Sequence, residues 1–185
     1  EQFRNLEIYD DLSKGKEKLC ISQGQLIENV ILEAEKAWKG ETQVDNILLT
    51  APTGSGKSLL FQLPAIYLGK EYNLLTIVVS PLKALIVDQV ESLQELGYMR
   101  VAYASSDLSP EQKMEVYRQV REGEIDLFYL SPELLLSYDI KHFVGERRIG
   151  LVVVDEAHTV TTWGKEFRVD YWFLGRYLNT LKQTL

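Results

Sequence analysis

The segment Ala51-Pro52-Thr53-Gly54-Ser55-Gly56-Lys57-Ser58 lies between the apolar run Asn46-Ile47-Leu48-Leu49-Thr50 and the apolar triplet Leu59-Leu60-Phe61. It reads as a turn from a buried strand into a helix. Gly54 and Gly56 allow the backbone to turn tightly and to aim N–H groups at a polyphosphate, and the helix N-terminus adds partial positive charge. In such a cradle Thr53, Gly54, Ser55, Gly56, Lys57 and Ser58 hold the nucleotide, Lys57 reaches the β/γ-phosphates, and the Ser58 hydroxyl ligates Mg²⁺. The pattern opens on Ala51 where its general form has glycine.

The 185 residues, 45% of them hydrophobic, are enough for one domain with a sizeable core. The single cysteine, Cys20, excludes an internal disulfide and a multi-cysteine metal site, which fits a reducing compartment. No apolar run approaches a membrane span and the first residues lack a signal-peptide pattern, so no membrane partner is expected and the cytoplasm is the default location. A net charge of −7 argues mildly against a partner held chiefly by electrostatics. It leaves room for nucleic acid bound through a local basic face or through base stacking.

Residues 1–21 show no clean period and form a peripheral segment. From Ser22, the residues Leu26, Ile27, Val30, Ile31, Ala34 and Trp38 fall at helical spacing, with Gly40 as a stop. A first strand is expected over Ile47–Ala51, then a helix over Lys57–Leu68 that Pro64 should kink or loosen. Leu74–Val79 reads as a strand, and Ser80 as the cap of the next helix with Pro81 at its first position. Val101–Ala104 is a third strand. Ser109-Pro110-Glu111-Gln112 is a capping box opening a helix through Val120. Asp126–Leu130 is a fourth strand, followed by a short helix opened by Ser131-Pro132-Glu133. Ile149–Val154 is apolar on both faces and reads as a central strand of a parallel sheet. A last helix places Tyr171, Leu174, Leu178 and Leu181 on one side. Strands alternating with helices predict an α/β domain with a doubly wound, mainly parallel sheet, helices on both faces, and the ligand at the carboxyl ends of the strands.

The run Ile149–Val154 ends in Asp155-Glu156-Ala157-His158. A carboxylate there supplies the second half of a nucleotide-hydrolysing site: Asp155 holds Mg²⁺ through its water shell, and Glu156 orients and deprotonates the attacking water. Lys57, Asp155 and Glu156 are the candidate catalytic groups, with Ser58 and Asp155 at the metal.

Together, the segments 51–58 and 155–158 resemble the first motor domain of superfamily-two helicases of the DExH branch, a RecA-like P-loop NTPase. Neighbouring residues narrow the resemblance to RecQ-type DNA helicases. Ser80-Pro81-Leu82 through Asp88-Gln89-Val90, and Leu130-Ser131-Pro132-Glu133, are similar to two further motifs of that family. His158, followed by Trp163-Gly164, Phe167-Arg168 and Tyr171, is similar to its aromatic-rich loop, and the likeness covers about residues 20–175. The chain departs from the pattern at Ile21-Ser22, at Lys36–Asp45, at Leu134 and at Val169-Asp170, which points to a divergent branch.

The resemblance implies ATP and Mg²⁺ as cofactors, and a first RecA-like lobe over 22–185 that couples hydrolysis to translocation on single-stranded DNA and to unwinding. It implies single-stranded or partly duplex DNA as partner, a nucleoid association in a bacterium, and a second lobe with an arginine finger elsewhere in the full-length chain. Such a finger contributes ~10³–10⁵ in rate, so residues 1–185 alone are expected to bind nucleotide and hydrolyse it poorly. The other reading is an ATP-dependent, nucleic-acid-bound switch or remodeller without strand separation. A P-loop kinase explains neither Asp155-Glu156-Ala157-His158 nor the aromatic loop.

Several residues carry two readings. Gln25 resembles the family's adenine-reading glutamine, yet it stands at capping-box spacing from Ser22. Trp163, Phe167 and Arg168 are implied to touch DNA and signal to the ATP site; Trp163, Phe167 and Tyr171 are also four apart, as in a buried helical stripe. Ser80, Lys83 and Ser131 stand at helix starts, where capping and DNA-phosphate contact are compatible.

Overall fold

The computed structural model describes residues 5–9, 18–49 and 54–156, with side chains from 21 onward. The peripheral segment contains an antiparallel pair, β1 (Asn5–Tyr9) and β2 (Lys18–Ser22). Helix α1 (Gln23–Trp38) starts at Ser22, whose hydroxyl accepts from the Gln25 N–H while the Gln25 side chain accepts from the Ser22 N–H. After the phosphate turn come α2 (Leu59–Tyr72), β3 (Leu75–Val79), α3 (Lys83–Glu95) and β4 (Val101–Ala104). The order continues with α4 (Pro110–Arg121), β5 (Leu127–Leu130), α5 (Pro132–Leu136), α6 (Ile140–Val144) and β6 (Ile149–Val154).

Among the described residues the main sheet is parallel, in the order β4-β5-β3-β6. Period-two alternation sends its side chains into two cores. Leu75, Ile77 and Val79 of β3 join Phe128 and Leu130 of β5 against Tyr117 and Val120 of α4, Leu135 of α5 and Phe143 of α6. Val78, Leu127 and Tyr129 face the other way, against Phe61 and Ala65 of α2 and Ile86, Val90 and Leu93 of α3. Helices therefore cover both faces, the doubly wound α/β arrangement expected. Helix α1 packs beside α2 and reaches β6, with Leu26 and Ile27 packed on Leu60, and Ala34 on Leu68 near Leu151.

Three local expectations are corrected. Residues 43–49 take no regular secondary structure, so the strand expected over Ile47–Ala51 is not formed in its described part. An apolar run becomes a strand only by pairing; here Ile47 and Leu48 (79% exposed) face solvent, and Leu49 packs on the cluster of Leu26, Ile27 and Leu60. In keeping with this, β6 is an edge strand of the described sheet, all six of its residues half-buried, where a central position was expected. Ser80 does not cap α3. Its N–H donates to the Leu130 carbonyl and so still belongs to the sheet, and the helix starts two residues later, with Leu82 at the cap.

Helix α2 is continuous through Pro64 and runs to Tyr72, past the Leu68 expected, because proline removes only one donor from its ladder. Asn73 ends it in the left-handed conformation (φ 54°). The last helix expected, through Tyr171 and Leu181, lies outside the described residues.

Candidate functional site

The phosphate turn enters α2 through two glycines in the left-handed region, Gly54 (φ 78°) and Gly56 (φ 80°), a conformation open to them because they lack a Cβ. The N–H of Leu59 donates to Gly56 O and that of Leu60 to Lys57 O, so the amides before Leu59 stand at the positive end of the helix. Lys57 and Ser58 are half-buried, and Ser58, the N-cap of α2, makes no side-chain capping bond. Its hydroxyl is thus uncommitted to the helix.

A glutamine braces this turn from behind. Gln23, in the first turn of α1 and 3% exposed, places Nε2 3.0 Å from Ser55 O and 3.5 Å from Gly56 O. A Cβ on Gly56 would lie 2.6 Å from that nitrogen, so a side chain here would push the Gln23 amide aside as well as strain the backbone angle. Gln25 is exposed and spends its side chain on the capping box with Ser22, so its bland reading is realised in this conformation. Sequence reasoning missed Gln23. Its signal was a second glutamine on the same first turn, two residues before Gln25 and so on the opposite face.

The carboxylates stand where β6 ends. The Asp155 N–H donates to Val79 O at 2.9 Å, which carries the β6–β3 ladder one residue beyond the strand and places Asp155 beside Ser80 at the carboxyl edge. Glu156 then takes a left-handed conformation (φ 51°), and its N–H returns to Asp155 Oδ1 at 2.9 Å. Left-handed backbone at a non-glycine residue costs roughly 1–3 kcal/mol and collects at functional sites. The Ser58 hydroxyl and the Asp155 carboxylate are hard oxygen donors of the kind that Mg²⁺ takes alongside water and phosphate.

Asp155 is also reached through the core. Gln89 of α3 lies with Nε2 3.5 Å from Asp155 Oδ2, and its Oε1 accepts from the Tyr129 hydroxyl at 2.9 Å. That hydroxyl oxygen accepts in turn from Gln62 Nε2 at 3.2 Å. Burial, foremost, pushes the Tyr129 phenol above its ordinary range; the Asp155 charge acts in the same sense and the Gln62 bond in the opposite one. Of these residues only Gln89 lies in a segment the sequence singles out. Gln62 and Gln89 were legible in principle as polar interruptions of apolar helix faces.

Ser80, Ser131 and Asp155 end the neighbouring strands β3, β5 and β6. Ser131 caps α5, its hydroxyl accepting from the Leu134 N–H at 3.3 Å. Ser80 is 1% exposed and its hydroxyl has no partner among the described residues. Lys83, at the start of α3, pairs with Asp107, so its charge is already partly answered. Thr53, His158, Trp163, Phe167 and Arg168 lie outside the described residues.

Comparison with known proteins agrees with this arrangement. The chain is 38% identical over 126 residues to the ATP-dependent DNA helicase RecQ of Bacillus subtilis, an alignment covering 68% of this chain and 20% of that protein. It is 42% identical over 130 residues to the RecQ of a Synechocystis strain, covering 69% and 26%. With the ATP-dependent helicase SGS1 of Saccharomyces cerevisiae it shares 37% identity over 134 residues, covering 70% and 9%. The chain thus spans about a quarter or less of the length of these curated relatives. Among solved structures, the DUF1998 helicase MrfA bound to DNA and AMPPNP superimposes with a TM-score of 0.54 over 86% of this chain and 23% of that one. At 21% identity this likeness speaks to the fold alone. The family model for the DEAD/DEAH box helicase matches residues 27–185, from the first helix past both halves of the site, and the chain, with RecQ-type helicases as its relatives, belongs to that family.

Proposed function

We propose that this chain is the ATP-binding motor lobe of a RecQ-like DNA helicase that couples ATP hydrolysis to translocation on single-stranded DNA and to strand separation. The observation that supports the reading is the pair of half-sites, one at the start of α2 and one at the carboxyl end of β6, linked through Gln62, Tyr129 and Gln89. A glycine turn feeds α2 with Lys57 and Ser58 at its mouth, and β6 delivers Asp155 and Glu156 where its ladder to β3 ends. Lys57 and the turn amides bind the phosphates, and Gln25 takes the adenine edge once it leaves its capping bond. Glu156 orients the attacking water and accepts its proton. Ser58 and, through water, Asp155 would hold Mg²⁺, which would supply charge neutralisation on the phosphate oxygens.

A second lobe elsewhere in the full-length protein closes on this one around ATP, each closure shifting the grip on one strand. The serines at the strand ends, Lys83, and the segment from His158 to Arg168 are the proposed contacts to DNA. The RecQ relatives, whose names describe ATP-dependent DNA helicases, support this assignment.

The test uses the full-length protein. ATP hydrolysis stimulated by single-stranded DNA and displacement of a paired strand are expected, both abolished by Lys57→Ala and by Glu156→Gln. Trp163→Ala and Arg168→Ala are expected to keep nucleotide binding and lose the stimulation. Stimulated hydrolysis without strand displacement would point instead to an ATP-dependent switch or remodeller. Hydrolysis indifferent to DNA would overturn both.

A further inference from the structure

Two glutamines and a tyrosine, all buried, form a chain that ends on Asp155. Gln62 belongs to α2, Tyr129 to β5 and Gln89 to α3; their exposures are 9%, 0% and 8%. Tyr129 otherwise lies among Phe61, Ile86 and Val90, in the apolar layer between the sheet and these two helices. Polar groups in such a layer are costly unless each finds a partner, and these find theirs in one another and in Asp155.

The sense of each bond follows from its last member. An ionised carboxylate only accepts, so Gln89 must turn its Nε2 toward Asp155 Oδ2, 3.5 Å away. Its Oε1 then faces the Tyr129 hydroxyl, which must donate, at 2.9 Å. The phenolic oxygen is left to accept from Gln62 Nε2, at 3.2 Å. Every dipole in the chain points its positive end toward Asp155, and successive bonds polarise one another in a medium of low dielectric. The other carboxylate oxygen, Oδ1, is held by the Glu156 N–H. Without the Tyr129 hydroxyl, the Gln89 Oε1 loses its donor and only the carboxylate itself still orders the amide.

We infer that Gln89 and Tyr129 are positioning residues for the Asp155 carboxylate: the relay from Gln62 through Tyr129 and Gln89 holds that side chain in one orientation, ready for Mg²⁺ and nucleotide. The inference rests on the reading of Asp155 as the metal-site carboxylate. The 3.5 Å link is the longest of the three, and such contacts commonly tighten when a site fills. The relay also ties three separate elements to the metal end of the site, with α2 beginning at the phosphate turn and β5 ending at Ser131.

The test is the affinity of the full-length protein for a fluorescent ADP, measured with Mg²⁺ and in EDTA, for the parent, Tyr129→Phe, Gln89→Met and Asp155→Asn. The readout is the ratio of the two dissociation constants, which needs no turnover. Tyr129→Phe and Gln89→Met are expected to lower the metal-dependent tightening by about tenfold while the affinity in EDTA stays within about twofold, as loss of an outer-shell partner does at other metal sites. Asp155→Asn should remove the tightening altogether. If Asp155→Asn removes it and either relay variant retains it, the relay is wrong and the metal reading stands. If a relay variant weakens binding equally with and without metal, the defect is one of packing and the inference is likewise overturned. If Asp155→Asn leaves the tightening intact, the metal reading itself fails.

Discussion

The Gln23 amide nitrogen lies 3.0 Å from the carbonyl oxygen of Ser55, so a side chain from the first helix holds the phosphate turn in place. The bond joins residues 32 apart in sequence and is part-buried. Gln23→Ala should therefore loosen the turn while leaving α1 intact, because the capping box of that helix is made by Ser22 and Gln25. One such hydrogen bond contributes about 1 kcal/mol, which corresponds to roughly fivefold weaker nucleotide binding. Gly56→Ala should weaken it further, since the new Cβ meets Gln23 Nε2 and the turn must leave its φ of 80°. Titration of each variant with a fluorescent nucleotide in EDTA measures the effect apart from the metal.

The opposite end of the sheet carries the charge network that holds the fold. Asp126, 1% exposed just before β5, accepts from Arg100 Nε at 2.6 Å and from an Arg147 guanidinium nitrogen at 2.8 Å. The Tyr98 hydroxyl donates to it as well, and burial together with the Asp126 charge drives that phenol upward. Burial pushes Arg147 below its ordinary range, and Asp126 acts to restore it. Asp126→Ala leaves Arg147 as a buried cation that has lost its carboxylate, a change that costs about 3–5 kcal/mol. Arg100→Ala removes a half-exposed partner and should cost about 1 kcal/mol or less. Denaturant unfolding of both variants checks the contrast. Affinity for nucleotide in the folded fraction should be the same in both, because the network stands at the other end of the strands.

What could be read from the chain was what is local. Ile149–Val154 is a strand over the residues expected because a continuous apolar run with short flanks has few other uses. Ser109 and Gln112 form their capping box because both bonds close within four residues. Ile47–Leu49 had the same apolar signal as β6 and no regular structure, since a strand is defined by its neighbour. Ser80 had the chemistry of a cap, but its N–H was claimed by Leu130, on a strand fifty residues later in the chain. The site divides in the same way. Gly54, Gly56, Lys57 and Asp155 stand out by residue type and spacing. Gln23 and Tyr129 act through contacts 32 to 67 residues apart, and no local period marks these.

Ser80 and Ser131 end neighbouring strands in the same Ser-Pro setting, yet their hydroxyls have opposite energetics. Ser131 accepts from the Leu134 N–H, so Ser131→Ala removes a helix cap and should destabilise the fold by about 1 kcal/mol. The Ser80 hydroxyl is buried and without a partner among the described residues, and an unsatisfied polar group of that kind costs about 1–3 kcal/mol. Ser80→Ala should therefore leave the DNA-free protein as stable as the parent or raise its unfolding midpoint. If the hydroxyl is retained for a DNA phosphate, the same variant should bind single-stranded DNA more weakly, so that stability and affinity move in opposite directions. Thermal unfolding without DNA, paired with a DNA titration of the full-length protein, reads both signs. A Ser80→Ala protein that is less stable and binds DNA normally would assign the hydroxyl to the fold and remove it from the DNA surface.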